Sequence, residues 1–165
     1  MHKKEWFFSV INILLVLLVL TSLVFLVVKI VNPNKYLDKT RDAKRLNDLT
    51  SLQTAIDLYI ADGQNFDQLT SSQTYKSLVR DDSLGGQGWL PLNFKLVSSG
   101  VPIDFLPVDP TNQGDYYYKF GVNLANKTYE IDCRFESPSF IYKAKNDGGN
   151  NSDWYELGTD LTILK

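Results

Sequence analysis

The sequence predicts an α+β chain in which a long N-terminal helix, membrane-spanning in its first half and amphipathic in its second, packs on a small antiparallel β-sheet head. Residues 6–28 contain no charged side chain, whereas the segment that follows places apolar side chains at spacings of three and four. Further on, two aromatic-rich segments at residues 115–122 and 127–135 flank an asparagine-containing turn. These observations predict a transmembrane anchor over residues 1–34 and a head over residues 35–165 that includes the amphipathic half of the helix.

The apolar run is long enough to cross a bilayer. At about 1.5 Å per helical residue, residues 6–28 would extend through a hydrocarbon core of roughly 30 Å. A cleaved secretory signal is the alternative, because Lys3 and Lys4 form a basic segment before the run. The run exceeds a typical signal core and no small-x-small cleavage motif follows it, so we expect a retained single-pass anchor in contact with membrane lipid.

The segment after the anchor has the pattern of an amphipathic helix. Its predicted stripe, expected to pack against the head, consists of Leu46, Leu49, Leu52, Gln53, Ile56, Tyr59 and Ile60. Asp42 with Arg45, and Arg45 with Asp48, have the i,i+3 spacing of ion pairs and are predicted on the opposite, solvated side. Pro33 is expected to kink or loosen the helix near the membrane. Gly63 is expected to cap the C-terminal end of the helix.

The head reads as a series of short elements. Residues 73–80 predict a short helix, and residues 84–114, rich in Gly, Pro and Ser, predict a long surface connection. The two aromatic-rich segments that follow predict an antiparallel hairpin. Residues 138–145 predict another short helix, after which a polar loop, residues 146–153, leads into a closing strand that begins with residues 154–158.

Composition and motifs argue against several classes of function. The net charge of −2 provides no basic footprint for nucleic acid. The single cysteine, Cys133, cannot form an internal disulfide and is predicted to be a small buried residue of a strand. The only histidine is His2, and the chain has no nucleophile elbow, phosphate-binding glycine loop or zinc-type spacing. We therefore expect neither enzymatic activity nor a nucleic-acid partner.

Several segments taken together resemble type IV pilins and the major pseudopilins of bacterial type II secretion. The charge-free helix runs directly into RDAKRLNDLTSLQTAIDLYIADGQNF, and the further matching pieces are LPVDPTNQGDYYYKF, YEIDCRFES and NDGGNNSDWYELGTDL. The resemblance extends over nearly the whole chain and implies a pilin-like fold with a structural role. Its partners would be membrane lipid, further copies of the chain or other pilin-like subunits, assembled into a filament through the apolar helices.

The resemblance also implies a head outside the cytoplasm, on the cell membrane or in an extracellular filament. A count of basic residues alone favours the opposite placement, since Lys29, Lys35, Lys39 and Arg41 follow the apolar run. Acidic residues alternate with these bases, so the count does not determine the topology.

The N-terminus departs from the family pattern. Members carry a short basic leader that ends in glycine and is cut by a prepilin peptidase, and a glutamate lies a few residues into the apolar helix. Here no glycine precedes Trp6, no acid lies within residues 6–28, and Glu5 precedes the run among lysines. A second hypothesis therefore stands beside the filament subunit: a single-pass, membrane-anchored binding module with a pseudopilin-like head that does not polymerise.

The polar loop over residues 146–153 is the one candidate binding site in the sequence. Calcium takes carboxylate, amide and backbone oxygens, and glycine allows such groups to converge. The major pseudopilins that the chain resembles hold calcium in their C-terminal loop, which implies Asp147, Asn150 and Asp153 as ligands. A polar turn without an ion is the alternative, because Asn, Asp and Gly dominate turns in general.

Overall fold

The computed structural model describes the backbone of residues 2–70, 73–79 and 81–165, with the side chains of these ranges except those of residues 2–9, 30 and 31. The chain divides into two compact units, one ending at Leu37 and the other running from Asp38 to Lys165. It contains long N-terminal helices and a four-stranded antiparallel sheet, so the α+β layout predicted from the sequence is confirmed.

Two helices follow each other at the N-terminus. Helix α1 is His2–Val31 and helix α2 is Pro33–Ala61. Between them Asn32 has a left-handed backbone, with a φ of 43°, and its carbonyl accepts a hydrogen bond from Lys35 N–H at 3.0 Å. The helix is thus interrupted at Asn32, as the expected loosening near Pro33 requires, and Pro33 stands at the first position of α2, where its missing N–H costs nothing.

The second half of α2 forms one wall of the core. Leu49, Leu52 and Ile56 are fully buried, and Tyr59 is nearly so. These residues confirm the predicted stripe, although Ile60, at its edge, is 37% exposed.

Helix α2 ends as the sequence predicts. Gly63 N–H donates to the carbonyl of Ile60 at 3.0 Å, and Gln64 N–H donates to that of Tyr59 at 3.1 Å. This pair of bonds is a Schellman motif, which requires a left-handed residue at Gly63, where φ is 84°.

The sheet consists of four antiparallel strands in sequence order. Strand β1 is Tyr75–Lys76, β2 is Lys119–Asn123, β3 is Thr128–Cys133 and β4 is Tyr155–Gly158. Strands β2 and β3 form the predicted hairpin.

The helix predicted over residues 73–80 is wrong over the part that the structure describes, and Arg80 lies outside the described residues. Tyr75 and Lys76 instead pair with Phe120 and Lys119 of β2. Burial of the Tyr75 ring, 6.3 Å from that of Phe120, outweighs the local preference of the segment.

One face of the sheet is apolar and buried. Phe120, Val122, Tyr129, Ile131 and Cys133 alternate along β2 and β3 and are fully buried. This is the face toward α2, since the hydroxyl of Tyr129 donates to a carboxylate of α2, Asp57 Oδ1, at 2.5 Å. The predicted burial of Cys133 in a strand is confirmed.

The connection predicted to lie on the surface is partly a core element. Trp89, Leu90, Leu92, Phe94 and Leu106 are at most 4% exposed, and a short 3-10 helix, Phe94–Leu96, lies within it. The ring of Phe94 packs edge-on against Tyr59 of α2, with 5.7 Å between centroids. The glycine and proline content therefore marks irregular backbone and does not mark exposure.

The predicted second short helix is α3, Pro138–Ala144, which begins after Ser137. Its N-terminus lies against α2, because both the N–H and the hydroxyl of Ser137 donate to Asp42 Oδ2, at 2.7 and 2.6 Å. Proline in the first turn and serine before it suit a helix start.

Candidate functional site

The side chains of α1 form an apolar surface. The large apolar residues from Ile11 to Val28 are each 46–66% exposed. Two hydroxyls in this segment are satisfied within the helix: Thr21 donates to the carbonyl of Leu18 at 2.9 Å, and Ser22 to that of Val19 at 2.8 Å. Among the described residues this is the one helix long and apolar enough to cross a membrane, a criterion that a signal sequence also meets.

A buried ionic cluster around Arg45 joins α2 to other parts of the unit that begins at Asp38. The Arg45 guanidinium is fully buried and binds Asp109 with two nitrogens, at 2.6 and 3.0 Å. Its third nitrogen contacts Asp42 at 2.8 Å and Glu136 at 2.5 Å. The prediction of a solvated charged face is therefore wrong at Asp42 and Arg45, which are fully buried, and at Asp48, which is 8% exposed.

The outer part of this ionic cluster is more exposed. Arg41 binds both oxygens of Glu136 and also pairs with Asp38 at 2.7 Å. These hydrogen bonds from Arg41, and then those from Arg45, hold the pKa of Glu136 below its usual value against the opposing effect of burial. The cluster positions α2 and α3.

The i,i+3 spacing predicts an ion pair between Asp48 and Arg45, but Asp48 has other partners. Its carboxylate pairs with Lys44 at 2.8 Å and accepts a hydrogen bond from the hydroxyl of Tyr118 at 2.8 Å. Burial, reinforced by the charge of Asp48, raises the pKa of that hydroxyl, so Tyr118 stays a neutral hydrogen-bond donor. The residue anchors the segment before β2 to the helix.

The three residues predicted to bind calcium lie on the loop between α3 and β4. Asp147 uses its carboxylate on backbone groups: Oδ1 accepts from Gly149 N–H at 2.9 Å and Oδ2 from Glu156 N–H at 2.9 Å. Asn150 and Asp153 are exposed. Asp147 thus shapes the turn that the alternative reading predicts, and calcium binding by the three residues stays a prediction.

Directly beneath this loop lies a set of acidic residues that the sequence analysis did not single out. Glu130, Asp132 and Glu156 are at most 1% exposed, and one carboxylate oxygen from each lies within 4.8 Å of the others. Glu130 and Asp132 have the i,i+2 spacing that places two side chains on one face of a strand. The sequence therefore contains a signal for the pair Glu130 and Asp132. It contains none for Glu156, which joins them only through the register of β3 with β4.

The chain was compared with protein-family models, with curated proteins and with solved structures, and no match was found in any of the three comparisons.

Proposed function

We propose that the protein is a structural subunit of a filament of the type IV pilus or type II secretion pseudopilus kind, assembled through its N-terminal apolar helix. The observation that carries the proposal is the exposed apolar surface of α1, whose large side chains from Ile11 to Val28 are 46–66% exposed. Such a surface is unfavourable in water and requires lipid or other apolar helices. In a pilin-like assembly the same helix uses both environments in turn.

Packing of aliphatic side chains would hold the helices together in this assembly. The hydroxyls of Thr21 and Ser22 donate to carbonyls of their own helix, so their protons are already used. Helix association in lipid relies on close packing where interhelical hydrogen bonds are few. Packing of this kind suits a filament whose subunits are held by many weak lateral contacts, with a structural role.

The head supports the proposal by its organisation. The second half of α2 is a core element of the unit that begins at Asp38, and Arg45 ties its first half to Asp109 and Glu136. A head that is built around a helix in this way can be held at a defined position in an assembly.

Insertion of a flexible Gly/Ser linker after Asn34 tests the filament hypothesis. We expect a head that folds normally, measured by circular dichroism, and a loss of filaments in electron micrographs of sheared cells. The same linker inserted after Gly100, an exposed turn of the head, is the matched control and should leave assembly intact. Normal filaments with the linker after Asn34 would contradict the proposal.

The second candidate is the single-pass, membrane-anchored binding module that never polymerises. The intact mass of the protein isolated from native membranes separates the two. A mass near 18.8 kDa favours the permanent anchor, whereas the loss of the first residues, with an added methyl group, favours the filament subunit.

A further inference from the structure

The outer face of the sheet, opposite to α2, carries a row of charged side chains. Lys119 of β2 lies directly across from Asp132 of β3, and Asp132 lies directly across from Glu156 of β4. Glu130 is two residues before Asp132 and shares its face. Like charges in directly opposed positions of a sheet are destabilising, so the pairing of Asp132 with Glu156 calls for a compensating charge.

This row is covered on both sides. The C-terminal segment lies over Glu130, whose Oε2 accepts hydrogen bonds from the N–H groups of Ile163 and Leu164, both at 2.7 Å. The loop between α3 and β4 lies over Glu156, and a Cβ at Gly149 would stand 1.3 Å from its Oε2. The backbone can approach the carboxylate so closely only because residue 149 is glycine.

Several oxygens of this acidic cluster have no hydrogen-bond partner. Among the described residues they are Glu130 Oε1, Glu156 Oε1 and Asp132 Oδ1, all fully buried, whereas Asp132 Oδ2 is paired with Lys119 Nζ at 2.9 Å. Buried polar atoms in proteins are almost always satisfied, and an orphaned carboxylate oxygen is costly. These atoms therefore indicate a ligand that supplies positive charge.

The charge balance gives the size of that missing charge. Glu130, Asp132 and Glu156 carry three negative charges when ionised, and Lys119 supplies one positive charge, which leaves a deficit of two. The carboxylate of Asp147 adds further negative charge beside Glu156, to whose N–H it is bonded. A divalent cation would cancel the deficit of two that Glu130, Asp132 and Glu156 leave beside Lys119.

We propose that Glu130, Asp132 and Glu156 together bind a divalent cation that prefers oxygen ligands, calcium in the first place, beneath the C-terminal segment and the loop between α3 and β4. Two oxygens that share a calcium ion, each at about 2.3–2.6 Å from it, lie at most about 5 Å apart, which the separation of up to 4.8 Å satisfies. The three donors are all carboxylates, the ligand type that hard cations select over softer metals.

Protons are the competing occupants of this cluster. Burial raises the pKa of both Asp132 and Glu156, with Lys119 opposing the shift at Asp132. The pKa is raised to about 8 at Asp132 and to about 7 at Glu156, so the experiment is best done at about pH 9, where protons compete less with the cation.

The test uses the full-length chain purified in detergent, stripped of metal with EDTA and titrated with calcium chloride. We expect calcium at about a hundredfold excess over its dissociation constant to raise the melting temperature by roughly 5–10 °C. Tryptophan fluorescence provides a second signal, because Lys119 Nζ lies 4.1 Å from the centre of the Trp154 ring.

Glu156→Gln removes one ligand charge with almost no change in shape. It should weaken calcium binding by at least about tenfold and, by relieving repulsion from Asp132, raise the melting temperature of the metal-free protein. Asp104→Asn, which removes an exposed carboxylate elsewhere in the head, is the matched control and should leave both values unchanged. Glu130→Gln provides a second ligand variant if Glu156→Gln does not fold.

Three results would overturn the proposal. The first is a melting temperature that does not depend on calcium or magnesium at millimolar concentrations. The second is an equal calcium response in Glu156→Gln and Asp104→Asn. The third is a response that Asp153→Asn abolishes and Glu156→Gln retains, which would assign the ion to the loop.

Discussion

Arg45 has no exposed surface, and its guanidinium contacts the carboxylates of Asp42, Asp109 and Glu136. A charged residue is almost never buried without such partners, because removing it from water costs several kcal/mol. The arginine fork suits the task, since two nitrogens bind Asp109 side by side while the third remains free for the other two acids.

Replacement of Arg45 by methionine should therefore strongly destabilise the folded protein. Arg45→Met leaves buried carboxylates without their counter-charge, and we expect a loss of about 3–5 kcal/mol in the free energy of unfolding. Urea denaturation followed by circular dichroism measures it. Arg134→Met is the control, because Arg134 pairs with Asp115 at the surface and should cost at most about 1 kcal/mol. Equal losses in the two variants would contradict this account.

The lowered pKa of Glu136 makes the free energy of unfolding depend on pH. Arg41 and Arg45 lower the pKa of Glu136 in the folded state, so its carboxylate stabilises the protein above the unfolded pKa of about 4.3 and loses this effect as the pH falls through the lowered folded value. The neighbouring acids Asp42 and Asp109 face the same arginines.

The pH effect is measured as a difference between two variants. The stability lost in Glu136→Gln relative to the wild type should be full near pH 6 and shrink as the pH is lowered to about 3. Asp67→Asn, an exposed carboxylate, is the control. A difference that stays constant over this range would show that the charge of Glu136 does not carry the effect.

At the scale of elements, α2 illustrates why periodicity predicts a helix well and its charged positions poorly. Its stripe at spacings of three and four predicts Leu49, Leu52 and Ile56 as core residues, and all three are fully buried. The same helix also buries Asp42 and Arg45, because α3 and the connection before β2 cover a second face.

Two isoleucines on α2 give a test at this scale. Ile56→Ala should lower the free energy of unfolding by about 2–5 kcal/mol, because the fully buried side chain leaves a cavity. Ile60→Ala, on the same helix and 37% exposed, should cost less than about 1 kcal/mol. Thermal or urea unfolding of both variants measures the difference, and a comparable cost at the two positions would place the core elsewhere.

Strand β1 shows the limit of local reasoning about elements. Two residues have no intrinsic preference strong enough to form a strand, and Tyr75 and Lys76 become one because β2 offers an edge and Tyr118 a carbonyl, which accepts from Ser77 N–H at 2.9 Å. Asn112 completes the junction by accepting the hydroxyl proton of Ser77 at 2.9 Å.

At the scale of the whole molecule, the two units are stabilised by different means. The unit that ends at Leu37 exposes apolar side chains along α1, and an apolar surface of this kind is unfavourable in water. The unit from Asp38 to Lys165 closes a core of its own around α2 and the sheet. The linker experiment after Asn34 belongs to this scale, because the insertion interrupts α2 near its start, before the boundary at Leu37, and leaves the core of the unit from Asp38 to Lys165 unaltered.

The amino-acid pattern by itself determined the elements whose signals are local. An uncharged apolar run, a stripe of period 3.6, an alternating hairpin and a glycine at a helix end are properties of neighbouring residues, and α1, α2, the β2–β3 pair and the Gly63 cap follow from them. Calcium binding at Asp147, Asn150 and Asp153 came from resemblance to a family and remains to be measured. Only the tertiary structure decided that Arg45 is buried, that residues 84–114 enter the core and that Glu130, Asp132 and Glu156 meet on one face. The physical reason is that these arrangements depend on strand register and on contacts between residues far apart in sequence, which composition and spacing do not specify.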